Sequence, residues 1–115
     1  MFAKPTIAIL GLGHVGLPTA LGFSELGWRV IGADDLREKA NQIRAGVAPF
    51  YEPGLQDLLS SALRSGRFEV ALNVQSAIEN SDVIFVCVGT PQNGDGSTDL
   101  SQIEAVGRLI AEHAN

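Results

Sequence analysis

The chain has 115 residues, a formal net charge of −5, and 45% hydrophobic against 18% charged residues. That length suits one domain with a modest core, and that composition is globular rather than disordered. The acidic residues are scattered, clustered Lys and Arg for a nucleic-acid surface are missing, and no apolar run approaches the roughly 20 residues of a membrane span.

The opening MFAKPTIAIL runs straight into a strand-like stretch and lacks the form of a signal peptide. TIAILG, residues 6–11, is short, rich in Ile and closed by glycine, and predicts a buried strand. Residues 15–26 carry Val15, Ala20, Leu21, Phe23 and Leu26 on a helical pattern, with Gly27 as the stop. Pro18 falls near the first turn, where a missing N–H costs least. RVIGAD, residues 29–34, predicts a second strand, and residues 37–45 a short helix ended by Gly46. APFYEPG, residues 48–54, breaks the pattern with two prolines and a glycine, a turn that sets up the next helix. There Leu55, Leu58, Leu59, Ala62 and Leu63 recur at helical spacing until Gly66. FEVA, residues 68–71, predicts a short strand, and residues 74–80 a short helix with Ala77 and Ile78 toward the core. VIFVCV, residues 83–88, is the most apolar run and reads as a central strand covered on both faces. GTPQNGDGST is a glycine-rich loop, after which Asp99 with Gln102 offers a capping-box-like start to a last helix, residues 100–113.

Strands alternating with helices imply parallel neighbours joined by crossovers. The expected fold is α/β: a Rossmann-like doubly wound parallel sheet of about four strands in the order 3-2-1-4, one domain over residues 1–115. Such sheets usually hold about six strands in two halves. The chain is therefore expected to be a partial N-terminal dinucleotide-binding domain with the substrate domain absent. Strand 83–88 then falls on the sheet edge, and an unpaired apolar edge predicts self-association into a homo-oligomer. The single cysteine, Cys87, excludes an internal disulfide and fits a reducing, cytoplasmic location.

GLGHVG, residues 11–16, has the spacing G-x-G-x-x-G between a strand and a helix. Gly11 makes the tight turn, Gly13 leaves the backbone open to a pyrophosphate, and Gly16 lets helix and strand pack closely. The helix N-terminus offers unpaired N–H groups to the phosphates. Asp34 ends the second strand 18 residues after Gly16, near the distance expected of the acid that binds the adenosine ribose. Its carboxylate accepts from ribose hydroxyls and, with Asp35, repels a 2′-phosphate, which favours NAD over NADP. Arg37 follows the two acids and is expected to face solvent. CVGTP, residues 87–91, ends the fourth strand at the ligand-binding edge of the sheet. Thr90 there either offers its hydroxyl to the cofactor or caps a turn before Pro91; the residues alone leave both open.

GLGHVGLPTA, GADDLREKA, PFYEPGLQDLL, SDVIFVCVGTP and DGSTDLSQIEAV together resemble the N-terminal domain of the UDP-glucose/GDP-mannose dehydrogenases. The likeness implies oxidation of the C6 hydroxymethyl of a nucleotide sugar to a carboxylate with two NAD, through a thiohemiacetal and thioester on a cysteine. FYEPGL favours UDP-glucose, giving UDP-glucuronate, over GDP-mannose or UDP-N-acetylmannosamine. It implies that Gly11, Gly13, His14 and Val15 face the pyrophosphate mainly through backbone, that Asp34 holds the ribose with Lys39 nearby, and that Thr90 lies near the middle of the cofactor. From the residues alone Lys39 reads as a solvated helix lysine. His14 stands where the family usually has tyrosine, so backbone contacts survive while stacking or a hydroxyl contact is lost. Leu36 replaces a common aspartate at a capping position.

The family's catalytic cysteine lies beyond residue 115, so no residue here is assigned to catalysis and the chain alone is expected to be inactive. Cys87, in an apolar strand with no base beside it, reads as a core thiol. His14 and His113 have no Cys or Glu at ligand spacing, and NGDGSTD lacks the sixth-position glycine of a calcium loop, so no metal site is expected. Tyr51 and Glu52 read as turn residues. The competing functional reading is a stand-alone nucleotide-binding or interaction module without catalysis.

Overall fold

The computed structural model describes residues 4–114. Four parallel strands, β1 (Ile7–Leu10), β2 (Val30–Ala33), β3 (Phe68–Val70) and β4 (Val83–Val86), form one sheet in the order β3-β2-β1-β4. Five helices accompany them: α1 (Gly16–Glu25), α2 (Arg37–Arg44), α3 (Leu55–Ser65), α4 (Val74–Glu79) and α5 (Ser101–His113). The expected topology is the observed one.

Alternation along β1 explains why the sheet is covered twice. Ile7 and Ile9 join a core with Leu17 and Leu21 of α1, Ile43 of α2, Leu55 and Leu59 of α3, and Phe68. Ala8 and Leu10 point the other way and pack with Ile31, Ala33, Val74, Ala77, Ile78 of α4 and Val106 of α5. Successive strand residues face opposite sides, so a strand buried on both sides must be apolar throughout. Each buried Ile, Leu or Val among them contributes about 2 kcal/mol by burial, before conformational entropy is subtracted.

Glycines end three of the helices as expected. Gly27, Gly46 and Gly66 have φ of +96°, +87° and +77°, a region other residues rarely enter. At Gly54 (φ +82°) the 48–54 segment turns into α3, and the Leu55 amide donates to the Glu52 carbonyl. Tyr51 and Glu52 are exposed, and Glu52 opens the turn into α3 through its carbonyl.

Two expectations need correction. Strand 83–88 is not covered on both faces: Val83, Phe85 and Val86 are each about 40% exposed, and the strand ends at Val86. The ladder stops because β1, its only described neighbour, turns away at Gly11; the Cys87 amide makes the last bond, to the Leu10 carbonyl. Cys87 thus lies just past the strand and is only half-buried, not enclosed in it. The capping box before α5 does not form either. Leu100 is the N-cap with no side-chain bond, and Asp99 instead accepts from the Ser101 amide. That bond holds the Asp99 carboxyl below its ordinary range.

Candidate functional site

The site starts at the turn between β1 and α1. Gly11 has φ +101°, and a Cβ there would stand 2.6 Å from the Cys87 carbonyl oxygen. A Cβ at Gly16 would overlap the carbonyl oxygen of Gly11. Both positions therefore require glycine, the first for conformation and contact, the second for contact alone. A Cβ at Gly13 would meet nothing within 4 Å, so the turn is open on that side. The amides of Gly13, His14, Val15 and Gly16 have no hydrogen-bond acceptor among the described residues. These are the orphan donors of a helix N-terminus, and α1 has no side chain to cap them. An open concavity of free N–H groups suits an anion.

Asp34 stands beside this turn. One carboxylate oxygen accepts from the Leu12 amide at 2.8 Å and pairs with Lys39 Nζ at 2.8 Å; the other accepts from the Leu36 amide at 2.9 Å. The last bond starts α2 in place of a cap from Leu36, whose side chain offers none. A carboxylate offers about four acceptor directions, so a further one remains for a ligand hydroxyl. Lys39 is not the solvated lysine of the bare residue reading, since its side chain is 25% exposed and tied to Asp34. Arg37 is exposed, as expected.

Along the ends of β1, β2 and β4 runs a cavity of about 670 Å³. Gly11, Gly13, His14, Val15, Asp34, Lys39 and Thr90 all line it, whereas Gly16 lies buried beneath the turn. The Thr90 hydroxyl has no hydrogen-bond partner among the described residues, so it caps no turn before Pro91. Cys87 also lines the cavity, and partial burial pushes its thiol up from the ordinary value. A neutral thiol is a poor nucleophile.

Sequence reasoning missed Val74 at the start of α4 and Gln102 of α5, which join the lining. Gln102 carried only its capping-box spacing as a signal; its side chain sits instead beside Gly89. Also missed was the partner of His14. The imidazole stacks on Phe50, centroids 4.0 Å apart and planes 22° apart. The expected loss of stacking at this position is corrected: His14 keeps a stack, with the PFYEPG segment as its other half. No group of three or more His, Cys, Asp or Glu suited to a metal is found among the described residues. Nor is any described helix long and apolar enough to cross a membrane.

Residues 5–115 match the UDP-glucose/GDP-mannose dehydrogenase family, NAD binding domain. The chain is 38% identical to UDP-glucose 6-dehydrogenase TuaD of Bacillus subtilis over 95% of its length and 24% of that protein's. Among solved structures it resembles a UDP-glucose dehydrogenase from Pyrobaculum islandicum, with TM-score 0.90 and 42% identity over 94% of this chain and 25% of the other. It also resembles a GDP-mannose dehydrogenase from Pseudomonas aeruginosa, with TM-score 0.87 and 42% identity over 90% of this chain and 24% of the other. The chain spans about a quarter of the length of the curated relatives it matches.

Proposed function

The chain belongs to the UDP-glucose/GDP-mannose dehydrogenase family, as its NAD binding domain, and on that premise we propose that it is the cofactor-binding part of an enzyme that oxidises UDP-glucose to UDP-glucuronate with two NAD. The observation that carries the reading is the cavity itself. Free turn amides, an Asp34 carboxylate with spare acceptor capacity and an unpartnered Thr90 hydroxyl line one continuous space.

In this reading the amides of Gly13, His14 and Val15, which line the cavity, receive the diphosphate, aided by the partial positive charge of the α1 N-terminus. Gly11 and Gly16 shape the turn so that those amides point outward together. Asp34 accepts from the adenosine ribose, and Lys39 holds that carboxylate in place. Asp34 and Asp35 repel a 2′-phosphate, which selects NAD. Thr90 offers its hydroxyl near the middle of the cofactor. When bound, the nicotinamide supplies a hydride acceptor. Converting a C6 hydroxymethyl to a carboxylate removes two hydrides and adds one water oxygen, hence two NAD. The nucleophile and the sugar site lie outside these 115 residues, so the chain alone turns over nothing.

UDP-glucose is preferred over GDP-mannose because of FYEPGL, although the two solved dehydrogenases share equal identity with this chain. Calorimetric titration with NAD and with NADP tests the cofactor reading. NAD is expected to bind at least tenfold tighter, about 1.4 kcal/mol; equal binding of the two contradicts it. NADH production from UDP-glucose by the pure chain would contradict the assignment of catalysis elsewhere.

A further inference from the structure

Resting on the NAD reading, we propose that the His14 imidazole is itself a ligand of the cofactor's diphosphate, held in place by Phe50, and that NAD therefore binds more tightly when His14 is protonated.

The charge around the cavity points to this. NAD brings a diphosphate of charge about −2 near neutral pH. Among the residues lining the cavity, Lys39 alone has a permanent positive side chain, and it is paired with Asp34. Asp35 leaves that end of the site net negative. At the phosphate turn the free amides supply partial charge only, and His14 is the one lining residue there able to carry a whole one. It has no hydrogen-bond or ion-pair partner among the described residues. The surrounding elements bring few competing charges: Asp34, Asp35 and Lys39 at the β2–α2 corner, the half-buried Cys87 and uncharged Thr90 after β4, and uncharged Gln102 on α5. On the other side, the segment bearing Phe50 brings Tyr51 and Glu52, and α3 brings Asp57.

Phe50 favours the same state. It lies nearly face to face with the imidazole, 4.0 Å between centroids. A cation over a phenyl face is attracted by the ring's quadrupole, so the stack tolerates the protonated form while fixing where the ring sits. The stack also fastens the 48–54 segment to the phosphate turn, giving that segment a part in cofactor binding. An imidazole gains its proton between about pH 5 and 8. The bound dianion stabilises that proton, so affinity is highest at the acid end and falls as pH rises.

Calorimetric titration of NAD into the 115-residue chain at about pH 5.5 and pH 8 tests this, since the cofactor's diphosphate keeps its charge over that range. The wild type is expected to lose about tenfold in affinity toward pH 8. His14→Gln, at an exposed position, should fold normally, bind weakly at both pH values and lose the slope. Phe50→Leu, which keeps apolar bulk, should flatten the slope in part. The His14 ring resonances should move on NAD addition at pH 5.5. A flat wild-type profile, or an undiminished slope in His14→Gln, overturns the inference and leaves the NAD reading standing. An undiminished slope in Phe50→Leu overturns the part given to Phe50. Failure of NAD to bind at either pH overturns both.

Discussion

Gly16 and Gly22 stand on the same helix and make opposite predictions. Alanine at an open helix position gains up to about 1 kcal/mol over glycine. At Gly22 a Cβ would meet nothing within 4 Å, so Gly22→Ala should stabilise the protein by about that amount. At Gly16 the same Cβ overlaps the backbone of Gly11, which cannot move without disturbing the end of β1. There overpacking outweighs propensity, and Gly16→Ala should cost about 2 kcal/mol or more. Urea midpoints for both variants decide it; a stabilised Gly16→Ala would show that the fingerprint does not need its third glycine. Cys87 carries another prediction at this scale. Burial raises its thiol, so the neutral form is held to higher pH. Iodoacetamide at pH 8 should modify it more slowly than a free thiol, and the rate should keep climbing above pH 9. Fast labelling at pH 7 would reveal an activated cysteine.

At the scale of elements, most of the fold was legible because each signal was local. The glycine stops, the alternation of β1 and the periodicity of α3 depend on neighbours in sequence, and these elements appear where read. Strand β4 was misread in part because its apolar run reports a preference for burial, not whether anything lies alongside it. The described sheet leaves β4 paired on one side only, to β1, with Val83, Phe85 and Val86 partly exposed. Such an edge is a template for pairing with another chain. The 115-residue chain is therefore expected to self-associate with rising concentration. Val86→Lys should weaken that association, since an edge lysine carries a buried-charge cost into any paired sheet. Sedimentation velocity on both proteins checks this; a wild type that stays monomeric at high concentration contradicts it.

For the whole molecule, the cavity is where local signals and tertiary contacts meet. The glycines and Asp34 were legible because the fingerprint has fixed spacing along the chain. The bond from the Leu12 amide to Asp34, the Lys39 pair and the His14–Phe50 stack were not, since each joins segments that only folding brings together. Lys39 looked solvated and His14 looked unstacked for that reason. These contacts give Asp34 two tasks: it ties the β1–α1 turn to α2, and it is proposed to hold the ribose. Asp34→Ala should accordingly lower stability by about 1–3 kcal/mol as well as weaken the cofactor. Asp34→Asn keeps one acceptor oxygen, enough for only one of the two amides, and loses the charge toward Lys39, so it should still destabilise, by less than alanine. The most direct test is NAD titration against the wild type and Asp34→Asn, under conditions where circular dichroism shows both folded. The wild type should bind, and the variant should bind at least tenfold more weakly. Equal binding by the two would contradict the account.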